Sequence, residues 1–291
     1  MILSAVPGKV RALLEMIKFS HTVFAFPFAL MGMVIAALTS GKAPTAGQIL
    51  WICLAMVGAR SGAMGLNRII DARIDAANPR TAQRHIPAGR VSKAEAWIFV
   101  LLSFALLLLA AWKLNPLCLK LAPVALFFLF LYSWCKRFTA YAHIVLGVCL
   151  AAAPIGAWIA LRGDIGWQVV ALGLAVLFWV AGFDIFYALQ DLDFDRQAGL
   201  HSIPVKLGPE KAIGLARWFH LTMILLLLAL LSIEGLGLIY FVGVLIVAGL
   251  LVYEHLLVRP DDLSRLDAAF FNMNGYISVT IFLFTLTDAL V

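Results

Sequence analysis

The chain has 291 residues, of which 63% are hydrophobic and 13% charged, and its mean hydropathy is +0.98. A water-soluble domain is roughly 45–50% apolar and about 25% charged, so this chain has too few polar groups to cover a soluble particle. Disorder, a disulfide scaffold and a nucleic-acid-binding domain are excluded, the last despite a net charge of +6, and an integral membrane protein remains.

A spanning helix takes roughly 20 residues and satisfies its own backbone hydrogen bonds, so the chain has room for several spans and little else. Apolar stretches fall at 19–38, 49–65, 96–112, 121–134, 140–161, 167–183, 218–233, 236–253 and 268–286. They predict nine transmembrane helices in an all-α, polytopic fold with one domain over 1–291. The fourth stretch is short and carries Pro123 near its start. The first is longer than the roughly 7–15 apolar residues of a secretory signal, so it is expected to stay attached.

Basic residues fall unevenly between the spans. Seventeen of the 22, from Lys9 and Arg11 through Arg80, Arg84, Lys136, Arg137 and Lys206 to Arg265, lie on the side of the amino terminus. Only Lys42, Lys113, Lys120 and Arg162 lie opposite, and Arg60 lies inside the second span. This asymmetry puts the amino terminus and all long polar loops in the cytoplasm. It also explains the net positive charge, which sets topology and meets anionic membrane lipid or ligand.

Two of those loops carry matched acidic patterns. Asn67, Asp71 and Asp75 follow one another at intervals of four at the end of the second span. On a helix such positions drift by only about 40° per step, so their oxygen-bearing side chains share a face. Pro79, after Asn78, ends that helix. Tyr187, Asp191 and Asp195 repeat the spacing 120 residues later, at the end of the sixth span. Two similar halves facing a shared site follow from the repeat. Like charges one turn apart destabilise a helix slightly, so the pattern calls for a cation. Hard oxygen ligands with no Cys or His beside them indicate Mg²⁺, which uses one or two carboxylates together with phosphate oxygens of a substrate.

Basic residues complete the constellation. Arg80, Arg84, Lys136, Arg137 and Lys206 are placed to meet the remaining charge of a metal-bridged diphosphate. Arg60 is a charge within a span, which is a functional candidate by default. Asp184 precedes Asp191 by two helical turns and projects from the same face at greater depth.

These residues resemble the UbiA-type membrane prenyltransferases. Asn67-Arg68-Ile69-Ile70-Asp71-Ala72-Arg73-Ile74-Asp75 with Asn78-Pro79-Arg80-Thr81 is similar to the family's first aspartate-rich motif, and 184–195 followed by Gly199 to Ser202 resembles its second. Lys136-Arg137-Phe138-Thr139 with Leu146-Gly147 resembles its central basic segment. Within the family the chain looks most like the 4-hydroxybenzoate polyprenyltransferases of quinone biosynthesis and the enzymes that prenylate a dihydroxynaphthoate on the futalosine route to menaquinone. The segment from His21 to Phe28 tilts the reading toward that subgroup.

The resemblance implies that Mg²⁺ ions held by Asn67, Asp71 and Asp75 on one side, and by Asp191 and Asp195 on the other, clamp a polyprenyl diphosphate while its allylic C–O bond ionises. Lys136, Arg137, Arg80 and Arg84 share that task or admit the carboxylate of an aromatic acid, and Asp184 or Tyr187 orients the acceptor. The ring carbon ortho to the phenol then captures the prenyl cation. An ion-coupled transporter would instead hold its acids near mid-membrane, and the D-x2-D-G-x2-A-R run of CDP-alcohol phosphotransferases is absent. Cys53, Cys118, Cys135 and Cys149 lack metal or redox spacing and are expected to pack; His21 and His143 are expected as hydrogen-bonded interfacial residues; Phe127, Phe128 and Phe130 as lipid-facing or packing groups. Asp261-Asp262, followed by Arg265, is expected in a solvated loop.

Overall fold

The computed structural model describes residues 8–17, 25–258 and 272–291. The expectations for His21 and for Asp261-Asp262, and the starts of the first and ninth spans, lie outside the described residues. All the regular structure described is helical: α1 (Gly8–Met16), α2 (Phe26–Ser40), α3 (Ala46–Ile70), α4 (Ala72–Ala77), α5 (Lys93–Leu114), α6 (Pro116–Cys135), α7 (Ala142–Arg162), α8 (Trp167–Ala188), α9 (Leu192–Gln197), α10 (Ile203–Leu207), α11 (Pro209–Ala229), α12 (Leu238–Leu257) and α13 (Asn274–Leu290).

Seven of these helices are long and apolar enough to cross a membrane, and α2 and α13 are shorter apolar helices. Together they fall on the nine stretches expected from hydropathy. The chain is an integral membrane protein. Helix starts follow local chemistry: Thr45 with Gln48, and Ser92 with Glu95, form reciprocal capping boxes ahead of α3 and α5, and Asn115 caps α6 through the Cys118 N–H. The short fourth span extends through its polar flank to Pro116 and accommodates Pro123 inside the helix.

Lipid replaces water around such a fold, so helices associate through close packing more than through burial of apolar surface. Leu102, Phe127, Trp218, Leu225 and Leu245 are each more than half exposed, as side chains facing hydrocarbon are. Phe130 joins Phe127 on that surface, whereas the four cysteines are buried or half-buried and unbonded to each other. The centre of the bundle is α8, flanked by α2, α7 and α11. Its Trp179 is fully buried, with its ring 4.9 Å from Phe28 and 5.0 Å from Phe183 between centroids. Backbones come nearest where a side chain is missing. A Cβ at Gly58 would lie 2.6 Å from the Ser103 carbonyl oxygen of α5, and one at Gly147 would lie 2.5 Å from that of Leu177 in α8. These contacts lock α3 to α5 and α7 to α8, the pairs that carry the acidic and basic segments to one end of the bundle.

Candidate active site

The two acidic motifs share one local design. α3 carries Asn67 in its last turns and ends at Ile70; Asp71 is a turn residue at the edge of the right-handed helical region (φ −86°, ψ 0°), and α4 resumes at once. The four-residue register survives the break, because the Asp71 N–H donates to the Asn67 carbonyl (2.9 Å) and the Asp75 N–H to that of Asp71 (2.8 Å). A continuous helix over this motif is therefore corrected to two helices in register. Asn78 is extended, as the residue before Pro79 must be, and α4 stops there. In the second motif α8 ends at Ala188, a single 3-10 turn covers Leu189–Asp191, and α9 carries Asp195. The tighter winding turns Asp191 by about 20° per residue relative to an α-helix, so Tyr187, Asp191 and Asp195 do not share an ideal helical face. Each motif thus consists of a long span, an irregular turn at its first Asp and a six-residue helix bearing its second.

Four of the five basic residues expected to meet a ligand, Arg80, Arg84, Lys136 and Arg137, contact these acids directly. Asp71, 2% exposed, receives Lys136 Nζ at 2.6 Å, Arg137 Nη2 at 3.0 Å and the Asn67 amide at 3.1 Å. Arg137 also donates to the Ile70 and Ser133 carbonyls, both at 2.9 Å, which fixes the end of α6 against the end of α3. Asp75 is paired through Oδ1 with Arg84 at 2.7 Å, and its buried Oδ2 has no hydrogen-bond partner. Asp191 receives both prongs of Arg80, with Nε 2.8 Å from Oδ1 and Nη2 on Oδ2, and the Asn78 amide at 2.8 Å. The third nitrogen of Arg80 reaches the Tyr187 hydroxyl at 3.0 Å, and its guanidinium carbon lies 5.1 Å from the centre of that ring. Burial works to lower the Arg80 pKa, but the hydrogen bonds and charges of Asp191 and Tyr187 outweigh it and hold the guanidinium above its ordinary value.

Other expected residues lie at the margins. Asp184 pairs with His143 at 2.7 Å in place of a lysine or arginine. The Asp195 carboxylate makes no hydrogen bond or ion pair among the described residues, although Asp191 and Lys136 lie within electrostatic range. Lys206 is apart from the carboxylates; its ammonium lies 5.0 Å from the centre of the Tyr141 ring, beside a groove of about 490 Å³ that Phe138, His201 and Ser202 also line. The His201 N–H donates to the Lys136 carbonyl at 2.7 Å, so this groove backs onto the basic segment. Arg60 pairs with no acid among the described residues, and its Nε is buried without a partner.

Some residues of the site were not singled out by sequence. Asn78, read there as the end of a helix and as part of the first motif but given no role at the site, bridges the motifs: its amide donates to Asp191 and its Oδ1 accepts the Arg80 N–H at 2.9 Å. Its position in the Asn-Pro turn was the signal available. Arg68, quoted within the first motif but given no role beyond a topology charge, is 8% exposed and within electrostatic range of Asp75, Arg84 and Tyr187. Tyr132, within such range of Asp71 and Asp184, carried no pattern that could have marked it.

A model of the UbiA prenyltransferase family matches residues 25–276, a range that holds both acidic motifs and the basic segment between them. The chain belongs to the UbiA prenyltransferase family. It is therefore a membrane prenyltransferase, and the transporter and CDP-alcohol readings fall. Among UbiA-family relatives, a 4-hydroxybenzoate octaprenyltransferase of Vibrio cholerae serotype O1 is 34% identical over 225 residues, covering 76% of this chain and 78% of that protein. One of Vibrio campbellii is 30% identical over 263 residues, covering 89% and 87%. The apo structure of a UbiA homologue from Aeropyrum pernix K1 superposes with a TM-score of 0.83 at 32% identity, over 92% of this chain and 98% of that one. A UbiA homologue from Archaeoglobus fulgidus, solved with DMAPP and Mg²⁺ bound, shares the fold with a TM-score of 0.75 at 20% identity, over 96% and 99%.

Proposed function

We propose that this UbiA-family enzyme transfers a polyprenyl group from polyprenyl diphosphate to the ring carbon of 4-hydroxybenzoate ortho to its phenol, in quinone biosynthesis. The residues form one domain over 1–291 in the bacterial cytoplasmic membrane, with the site facing the cytoplasm, where 17 of the 22 basic residues lie. The reading rests above all on Arg80 of the first motif's loop gripping Asp191 of the second, which makes one site of two motifs. The names of the curated relatives support the acceptor.

Asn67, Asp71 and Asp75, with Asp191 and Asp195 opposite, are the residues that would hold Mg²⁺. The donor set fits: it is all oxygen, and the buried Oδ2 of Asp75 has lone pairs that no protein donor claims. When bound, the metal supplies Lewis-acid neutralisation of the diphosphate leaving group. The chain does the rest. Lys136, Arg137, Arg80 and Arg84, already held in place by the carboxylates, present donors to phosphate oxygens, where charge grows as the allylic bond breaks. Their aligned donors also admit the acceptor's carboxylate, with Lys206 at the groove beside them and Arg60 a further substrate contact within the span. Tyr187 and Asp184 orient the phenol ring. The isoprenoid tail lies among apolar helices open to membrane lipid, and exclusion of water protects the cation from hydrolysis.

The test is an assay of membranes with radiolabelled polyprenyl diphosphate and a panel of aromatic acids, including 4-hydroxybenzoate and a dihydroxynaphthoate, with and without EDTA. Product that depends on 4-hydroxybenzoate, disappears with chelation and returns with Mg²⁺ is expected. Turnover that survives EDTA, or is unchanged in Asp71→Ala and Asp191→Ala, contradicts the mechanism.

A further inference from the structure

The acids of the site differ in what holds them. Asp71, Asp75 and Asp191 are each gripped by arginine or lysine, whereas Asp184 has a histidine as its partner. His143 is 3% exposed and is fixed from both sides. Its Nε2 faces the Ile203 N–H at 3.3 Å, and a backbone N–H can only donate. Nε2 is therefore the acceptor, and the proton of the neutral ring sits on Nδ1, where it is donated to Asp184 Oδ2 at 2.7 Å; this tautomer is assigned from the hydrogen-bond network. Asp184 is thereby oriented through Oδ2 by a neutral donor, and its second oxygen makes no hydrogen bond among the described residues.

Depth adds to this. Asp184 precedes Asp191 on the same helical run by seven residues, about 10 Å along the axis. A diphosphate held at Asp191 would leave Asp184 deeper in the bundle, on the side where the prenyl C1 and the acceptor ring must meet. A carboxylate there that is not neutralised by a cation is suited to receive a proton.

We propose that Asp184 takes the proton released from the acceptor ring and that His143 is the residue that positions it, tying it through Ile203 to the segment that follows the second motif. The allylic C–O bond breaks with its electron pair leaving on diphosphate. The ring carbon then bonds to C1, and the ring C–H bond gives its pair back to the aromatic system and its proton to the free oxygen of Asp184. His143 neither gains nor loses a proton. The proposal rests on the prenyl-transfer reading above and needs only that the acceptor be an aromatic ring bearing hydrogen at the attacked carbon.

The experiment compares wild type, Asp184→Asn, His143→Leu and His143→Gln in detergent, using 4-hydroxybenzoate and the same acid deuterated on the ring. A glutamine amide can donate to Asp184 and accept from Ile203, so His143→Gln is expected within about threefold of wild type. His143→Leu is expected to lose about 10- to 100-fold in kcat with little change in KM for the diphosphate, as loss of an orienting partner does. Asp184→Asn is expected to lose about 10²- to 10⁴-fold, the usual worth of a general base. In the Leu and Asn variants the deuterated acceptor should react more slowly than the protiated one, because proton removal has become limiting. Adding His143→Leu to Asp184→Asn should cost nothing further. His143→Gln as slow as His143→Leu, an absent isotope effect in all variants, or additive losses would overturn the proposal. Diphosphate release without acceptor, which should be unchanged in His143→Leu, keeps the two readings distinguishable: if wild type ionises the diphosphate but prenylates no aromatic acid, the reading of the acceptor fails and not the pairing.

Discussion

Arg80 and Asp191, 111 residues apart in the chain, meet as a two-pronged pair in which Nε and Nη2 each engage one carboxylate oxygen. One belongs to the loop after the first acidic motif and the other to the second motif itself, so the pair joins the two halves at their functional ends. A planar guanidinium fits a carboxylate in this way and an ammonium does not.

Arg80→Lys should therefore be a severe change. It keeps the charge but loses the fork and the contact with Tyr187, and kcat/KM for the prenyl diphosphate is expected to fall about 10- to 100-fold, as befits hydrogen bonds to charged groups. Asn78→Ala, which removes one donor to Asp191 and the acceptor of the Arg80 N–H, should cost about tenfold. Steady-state kinetics on the double variant should show less than the sum of the two losses, since both residues act on one carboxylate.

Asp71→Asn and Asp75→Asn test the metal assignment separately from catalysis at saturating metal. Each removes a negative charge from a hard oxygen site, so the Mg²⁺ concentration for half-maximal activity is expected to rise at least about tenfold. Unchanged Mg²⁺ dependence with reduced turnover would reassign these acids to holding Lys136, Arg137 and Arg84.

Packing of the spans is tested by Gly58→Leu and Gly147→Leu, where a new side chain would meet a facing backbone within 2.6 Å. Destabilisation of about 1–3 kcal/mol or more is expected, read as a lower unfolding temperature in detergent. Leu102→Ala, on the lipid-facing surface, should change stability by no more than about 0.5 kcal/mol.

Orientation is checked by single cysteines introduced in a background lacking the four native ones. A membrane-impermeant thiol reagent applied to intact cells should label position 164, in the turn between α7 and α8, and should spare position 83, beside the first motif, until the membrane is opened. The reverse pattern would invert the topology and place the site outside.

The sequence alone determined the spans, because a stretch that must satisfy its backbone within hydrocarbon is recorded as a run of apolar residues, and the seven span-length and two shorter apolar helices among the described residues all stand on such runs. It also marked the acids, since scarce charge in an apolar chain is conspicuous. It could not reveal which cation meets which carboxylate. Arg84 and Asp75 are near in sequence, but Lys136 and Arg137 reach Asp71 only because α6 delivers them to the end of α3, and Arg80 reaches Asp191 only because the second half folds back on the first. Lys206 carries the same charge as these and is turned instead to Tyr141. Asn78 and His143 gain their roles from neighbours more than a hundred and about forty residues away. Such pairings depend on how helices cross and where each one ends, and no local pattern in the chain encodes them.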